Sequence, residues 1–131
     1  MSIFTSTAII SRPAAAVFNF LADFNNHKEL MPNNVVNWSS AYDDAYFEVA
    51  NMLKLRLKIT ERQHHRFIEI LPVEKPPFDV RLTWEIKSGN DESEVTFTIT
   101  AELNMMMKMM ASASLQKLTE HQTQALANLL K

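Results

Sequence analysis

The spacing of apolar positions along the chain changes twice. Ile3 to Ile10 is dominated by Ile, Phe and Thr with partial alternation, which predicts a strand. Ser11-Arg12-Pro13 then marks a helix start. Ser11 can cap free amide donors, and Pro13 suits a first turn, where its missing N–H has no helical partner. The helix continues through Ala14 to Leu21, with Val17, Phe18 and Leu21 on one face. Asp23 and Asn25-Asn26 break or bend it. A second, short helix over His27 to Met31 ends before Pro32, which disfavours helical geometry in the residue ahead of it.

From Asn34 to Leu103 the period is two. Phe47 and Val49 flank Glu48 in one short strand, and Leu53, Leu55, Leu57 and Ile59 alternate with Lys54, Arg56 and Lys58 in the next. Arg66 to Leu71 is apolar but irregular, and its pattern leaves the face of Phe67, Glu69 and Leu71 open. Val73-Glu74-Lys75-Pro76-Pro77 reads as a loop, because two prolines do not fit a central strand. Phe78, Val80, Leu82, Trp84 and Ile86 form the next apolar stripe. Ser88-Gly89-Asn90-Asp91 is a hairpin turn, and Val95, Phe97, Ile99, Ala101 and Leu103 form the last stripe.

The tail, Asn104 to Lys131, has neither Gly nor Pro and predicts one long helix capped by Asn104. Leu115, Leu118, Gln122, Ala125, Leu126 and Leu129 fall on one stripe; Lys117, Glu120, Gln124, Asn128 and Lys131 lie largely opposite. The order is strand, two short helices, about six strands and a long helix. It predicts an α+β layer structure in which the helix covers the apolar face of an antiparallel sheet. Space between a twisted sheet and that helix is the expected binding site. With no repeat, linker or low-complexity tract, residues 1–131 read as one domain.

Composition narrows the chemistry. At 131 residues and 47% hydrophobic, the chain can build a core without disulfides or metal. It has no cysteine, which excludes thiol nucleophiles and Cys-ligated zinc. Gly89 is its one glycine, which excludes Walker A, GxGxxG and GxSxG motifs and leaves the strands without a glycine at which to bend. A net charge of −2 gives no reason to expect nucleic acid or an anionic membrane. No apolar run reaches the ~18–20 residues of a membrane span. Arg12 follows rather than precedes the first apolar stretch, the wrong order for a signal peptide, so a cytoplasmic location is expected.

The element order, the opening Ser-Arg-Pro-Ala-Ala-Ala-Val-Phe-Asn-Phe-Leu-Ala-Asp over residues 11–23, and Trp84 in the penultimate strand resemble the START/pollen-allergen-like superfamily, often called SRPBCC. The resemblance covers almost the whole chain. It implies a helix-grip fold with a cavity between sheet and C-terminal helix, usually for an apolar small molecule, and brings no shared catalytic motif. Its members include polyketide cyclases, lipid-transfer domains and ubiquinone-binding proteins.

Leu55, Leu82, Trp84, Phe97, Ile99, Leu115 and Leu118 are the expected lining of that cavity, with Trp84 offering a large apolar surface and one donor. The plainer reading is that they pack together as core. Gln122 interrupts the helix stripe, either to bond a ligand or to satisfy a backbone group near the helix edge. Met105-Met106-Met107-Lys108-Met109-Met110 points in every helical direction, as a pliable pocket mouth, a homodimer contact or a gap-filling turn under the Pro76-Pro77 loop. His27, His64, His65 and His121 have no metal-ligand spacing, and His64-His65 reads as a solvated turn. Lys54, Arg56, Lys58, Arg62 and Arg66 lie on an outward face. They lack the aromatic interleaving of a nucleic-acid surface, and pairing with Glu85 or Asp79 explains them.

A non-catalytic carrier of a small hydrophobic molecule (lipid, polyketide or aromatic type) is therefore expected, with no cofactor and no metal. The alternatives are a polyketide cyclase/dehydratase-like enzyme and a protein-interaction module. The enzyme needs an acid or base inside the cavity. Glu48, Glu69 and His121 could supply one only if the strand or helix phase differs from that read above.

Overall fold

The structure, a computed structural model, describes residues 1–50, 53–74 and 78–131, so Pro76-Pro77 of the expected loop lies outside the described residues. The elements are β1 (Ser2–Ile10), α1 (Ala14–Leu21), a 3₁₀ helix (Phe24–Leu30), β2 (Val35–Ser40), β3 (Asp44–Val49), β4 (Leu53–Gln63), β5 (Phe67–Pro72), β6 (Val80–Ser88), β7 (Ser93–Ala101) and α2 (Met105–Leu129). The seven strands form one antiparallel sheet in the order β1-β7-β6-β5-β4-β3-β2. Each strand from β2 to β7 pairs with its neighbour in sequence, and β1 returns to pair with β7. The long helix α2 packs against β1, β7 and the 3₁₀ helix, which completes the helix-grip arrangement.

Alternation decides which faces are inward. Phe47 and Val49 of β3, Leu57 and Ile59 of β4, Ile68 and Ile70 of β5, and Trp84 and Ile86 of β6 are buried. This settles the β5 face: Phe67, Glu69 and Leu71 point the other way. The bends come from bulges rather than glycines. Register shifts occur between Val36 and Ser39 in β2, where Asn37 has φ 56°, and between Ile59 and Glu61 in β4. Asparagine tolerates the left-handed region better than most residues. Gly89 stays in the β6–β7 turn, and there the positive φ belongs to Asp91.

Four local expectations are corrected. Pro13 is the N-cap of α1 rather than a first-turn residue, and Ser11 makes no cap bond. The Arg12 segment is tied elsewhere: its carbonyl accepts from Ser93 Oγ at 2.8 Å, and its guanidinium donates to the carbonyls of Leu130 and Lys131. Asp23 does not end α1 alone; it caps the 3₁₀ helix by accepting from the Asn25 N–H, so Asn25 and Asn26 lie inside that helix. The inward face of α2 is Ala111, Leu115, Thr119, Gln122, Thr123 and Leu126, while Leu129 is exposed and Ala125 half-buried. Two basic residues of β4, Arg56 and Arg62, pair with carboxylates at the start of β3 and just before it rather than with Glu85 or Asp79, because β4 lies between β3 and β5. Arg62 Nη1 meets Asp43 at 2.9 Å and Arg56 meets Asp44 at 3.8 Å. No helix among the described residues is long and apolar enough to cross a membrane.

Candidate binding cavity

Between the sheet and α2 lies a cavity of about 260 Å³. Leu55, Leu82, Trp84, Phe97, Ile99, Leu115, Leu118 and Gln122 all line it. They come from four elements. β4 supplies Leu55, β6 supplies Leu82 and Trp84, β7 supplies Phe97 and Ile99, and α2 supplies the rest. Period two on the strands and helical spacing on α2 aim all eight at one space. Trp84 and Phe97 are register partners, and their rings stack with centroids 4.2 Å apart, giving the cavity a rigid aromatic wall. Half-buried Phe78 and Val80, and buried Phe47, Leu57 and Ile70, extend the apolar lining.

Sequence reasoning missed the 3₁₀ helix as a wall of this cavity. Phe24, His27 and Leu30 are its buried residues, and Phe24 and His27 line the space. Their spacing of three matches the period of a 3₁₀ helix, in which side chains three apart eclipse. That spacing was the available signal. His27 Nε2 lies 2.7 Å from the Leu21 carbonyl oxygen. A carbonyl only accepts, so Nε2 carries the proton and Nδ1 keeps a lone pair. Burial holds the His27 pKa down at about 4, against the smaller upward effects of the Leu21 bond and nearby Asp23. The ring is therefore neutral at ordinary pH.

Two more polar groups sit in the wall. Gln122 is buried, and its amide makes no hydrogen bond among the described residues. The Trp84 indole N–H is buried without a partner among them. Ser114, Lys117 and His121, exposed on α2, join Met31, Pro32 and Asn34 at the rim. Among the described residues the deep lining thus holds hydrogen-bonding groups but no charge.

The remaining candidates lie elsewhere. Glu48 and Glu69 point away from the cavity, as the strand phase requires. Glu48 accepts from Tyr46 Oη at 2.9 Å and Asn37 Nδ2 at 3.1 Å, and Glu69 accepts from Arg81 at 2.6 Å and Thr60 at 2.9 Å. These bonds favour the ionised carboxylates and lower both pKa values. His121 reaches the cavity, but only its rim. His64 and His65 stack on each other in the β4–β5 turn and meet Phe18 edge-on. No group of three or more His, Asp or Glu side chains among the described residues could hold a metal ion. Met105, Met106, Met109 and Met110 are 70–84% exposed, and Met107 is partly buried against the core. The gap-filling reading fails for those four.

The family model described as "Polyketide cyclase / dehydrase and lipid transport" matches residues 1–131. The chain belongs to that family. Three solved structures illustrate how this polyketide cyclase/dehydrase and lipid-transport fold recurs. The protein XoxI from Bacillus cereus is 14% identical, with 99% of this chain covering 96% of that one at a TM-score of 0.78. A START superfamily protein from Mycobacterium smegmatis is 13% identical, at 98% and 96% coverage and a TM-score of 0.71. The di-domain ARO/CYC protein BexL is also 13% identical. Its match covers 98% of this chain and 46% of BexL, at a TM-score of 0.73. At these identities the likeness is one of fold. No curated protein matches the chain by sequence. The family and the fold agree with the SRPBCC resemblance read from residues 11–23 and the element order.

Proposed function

We propose that this chain binds and carries a small hydrophobic molecule. In this reading Leu55, Leu82, Trp84, Phe97, Ile99, Leu115, Leu118 and Gln122 form the binding surface, and residues 1–131 act as one helix-grip unit. The observation that carries it is the cavity itself. Protein interiors are close-packed and leave few voids larger than a water molecule, so an apolar space of about 260 Å³ is more than core packing leaves by default. A cavity of ~150 Å³ already takes benzene; about 260 Å³ leaves room for a larger ring system or a short chain.

An enzyme of cyclase or dehydratase type is the second reading, favoured by the proton-accepting nitrogen of His27 in the cavity wall. A general base works best with a pKa near the operating pH. His27, held at about 4, is a weak base at neutral pH, so the carrier reading is preferred.

Native mass spectrometry of freshly purified protein tests the proposal, with Leu118→Trp as the variant that fills the space. A small-molecule mass that is present in the wild type, released on denaturation and absent from Leu118→Trp is the expected result. A wild type that carries nothing and takes up no added naphthalene overturns it.

A further inference from the structure

The cavity is apolar over most of its wall, yet beside the Trp84 indole N–H, unpartnered among the described residues, two further buried polar side chains in it, His27 and Gln122, are not fully used by the protein. His27 donates through Nε2 to the Leu21 carbonyl, and its Nδ1 has no partner among the described residues. Gln122 is also buried and unpartnered there. The two residues enter from elements packed on each other, the 3₁₀ helix and α2. Polar groups left unpaired in a buried site cost roughly 1–3 kcal/mol each, so a ligand that pairs them gains selectivity as well as affinity.

Resting on the carrier reading, we infer that the ligand is a neutral ring compound bearing a hydroxyl group, whose O–H donates to His27 Nδ1 while its oxygen accepts from the Gln122 amide. The rest of the lining decides the remainder. Trp84 and Phe97 offer a flat stacked wall that suits a ring. Among the described residues no charged side chain lines the deep cavity, and Lys117 and His121 stand only at the rim, so a carboxylate drawn inside would lose its hydration uncompensated by them. The neutral His27 ring meets a hydroxyl proton with a lone pair, whereas an ether or ketone oxygen at that spot faces lone pair against lone pair.

Three probes of one shape separate these effects: β-naphthol, its methyl ether and the matching naphthoate. Affinities are read from amide chemical-shift titrations at neutral pH. The wild type is expected to bind β-naphthol about tenfold more tightly than the methyl ether, and the naphthoate most weakly. His27→Phe should erase the preference for naphthol over the ether. Gln122→Leu should weaken both alike, because both present an oxygen to the amide. Equal binding of naphthol and ether by the wild type overturns the inference and leaves the carrier reading standing, as does a preference that survives His27→Phe. Failure of every probe to bind overturns both readings. Should His27→Phe not fold, the wild-type comparison still decides.

Discussion

His27 shows how much one side chain can couple. It stabilises the join between α1 and the 3₁₀ helix through Leu21, meets the Phe24 ring at 4.7 Å and stands edge-on to Trp84 at 6.3 Å. Its burial has a consequence for the pH dependence of folding. The folded pKa of about 4 lies below the 6.5 of an ordinary histidine. Between those values the unfolded chain binds more protons than the folded one, so stability falls as pH falls through that window. The contribution is complete above about pH 6.5 and gone below about pH 4, a difference of about 3 kcal/mol. Urea unfolding should therefore show a loss of about 2 kcal/mol from about pH 7.5 to about pH 5, which His27→Phe flattens. Glu48 and Glu69 have lowered pKa values, so what they contribute is lost only at more acid pH, below the usual carboxylate value of 4.5. An unchanged slope in His27→Phe would assign the loss to other groups. The spacing of three in Phe24, His27 and Leu30 marks this histidine only when a 3₁₀ period is sought, and the asparagines and aspartate around it mask any helical or strand period.

The strands were legible in the sequence where the long helix was only partly so, and the reason is chemical. On β6 and β7 the inward positions are apolar without exception from Leu82 to Ile86 and from Val95 to Ala101, so alternation alone identifies them. On α2 three of the six buried residues are polar: Thr119, Gln122 and Thr123. Thr119 Oγ1 donates to the Leu115 carbonyl at 2.8 Å, and Thr123 Oγ1 bonds the Glu120 carbonyl at 3.0 Å and Ser6 Oγ at 2.8 Å. Such threonines satisfy themselves on the helix, and an apolar pattern cannot find them. Length explains the ends. A helix of 25 residues spans roughly 38 Å, while the nine-residue strands β1 and β7 beneath it span about 30 Å. The overhang leaves Leu129 exposed at one end and the methionines at the other. Replacing Met105, Met106, Met109 and Met110 together by Gln should shift the urea midpoint by an amount equivalent to under about 0.5 kcal/mol per site, since exposed substitutions seldom exceed that. The homodimer contact expected of these methionines is tested by sedimentation velocity on the same pair of proteins. A slower-sedimenting variant supports the contact, and identical coefficients end it.

At the scale of the whole molecule, fold and cavity follow from one mismatch. A sheet bent at the Asn37 and Ile59/Glu61 bulges packs against a long helix along one edge, and side chains from both sides leave the space between them incompletely filled. The eight residues read from sequence share this space because alternation and helical spacing fix direction. The size of the space was not legible, since it depends on bulges that no glycine marks. If the void is kept for a ligand, stability and occupancy must oppose each other. Leu55→Phe with Leu118→Phe adds volume at two half-buried wall positions facing the space. Cavity filling of this kind commonly adds about 0.5–2 kcal/mol. The ligand-free double variant should therefore unfold at higher urea than the ligand-free wild type. A saturating ligand raises the wild-type stability by about 2.7 kcal/mol at a hundredfold excess over Kd. The double variant should lose that gain, because the added rings occupy the ligand's volume. Calorimetric melting of both proteins with and without β-naphthol reads both effects. A variant that is less stable when empty yet still stabilised by the probe would mean that the two leucines pack as plain core and that the ligand sits elsewhere.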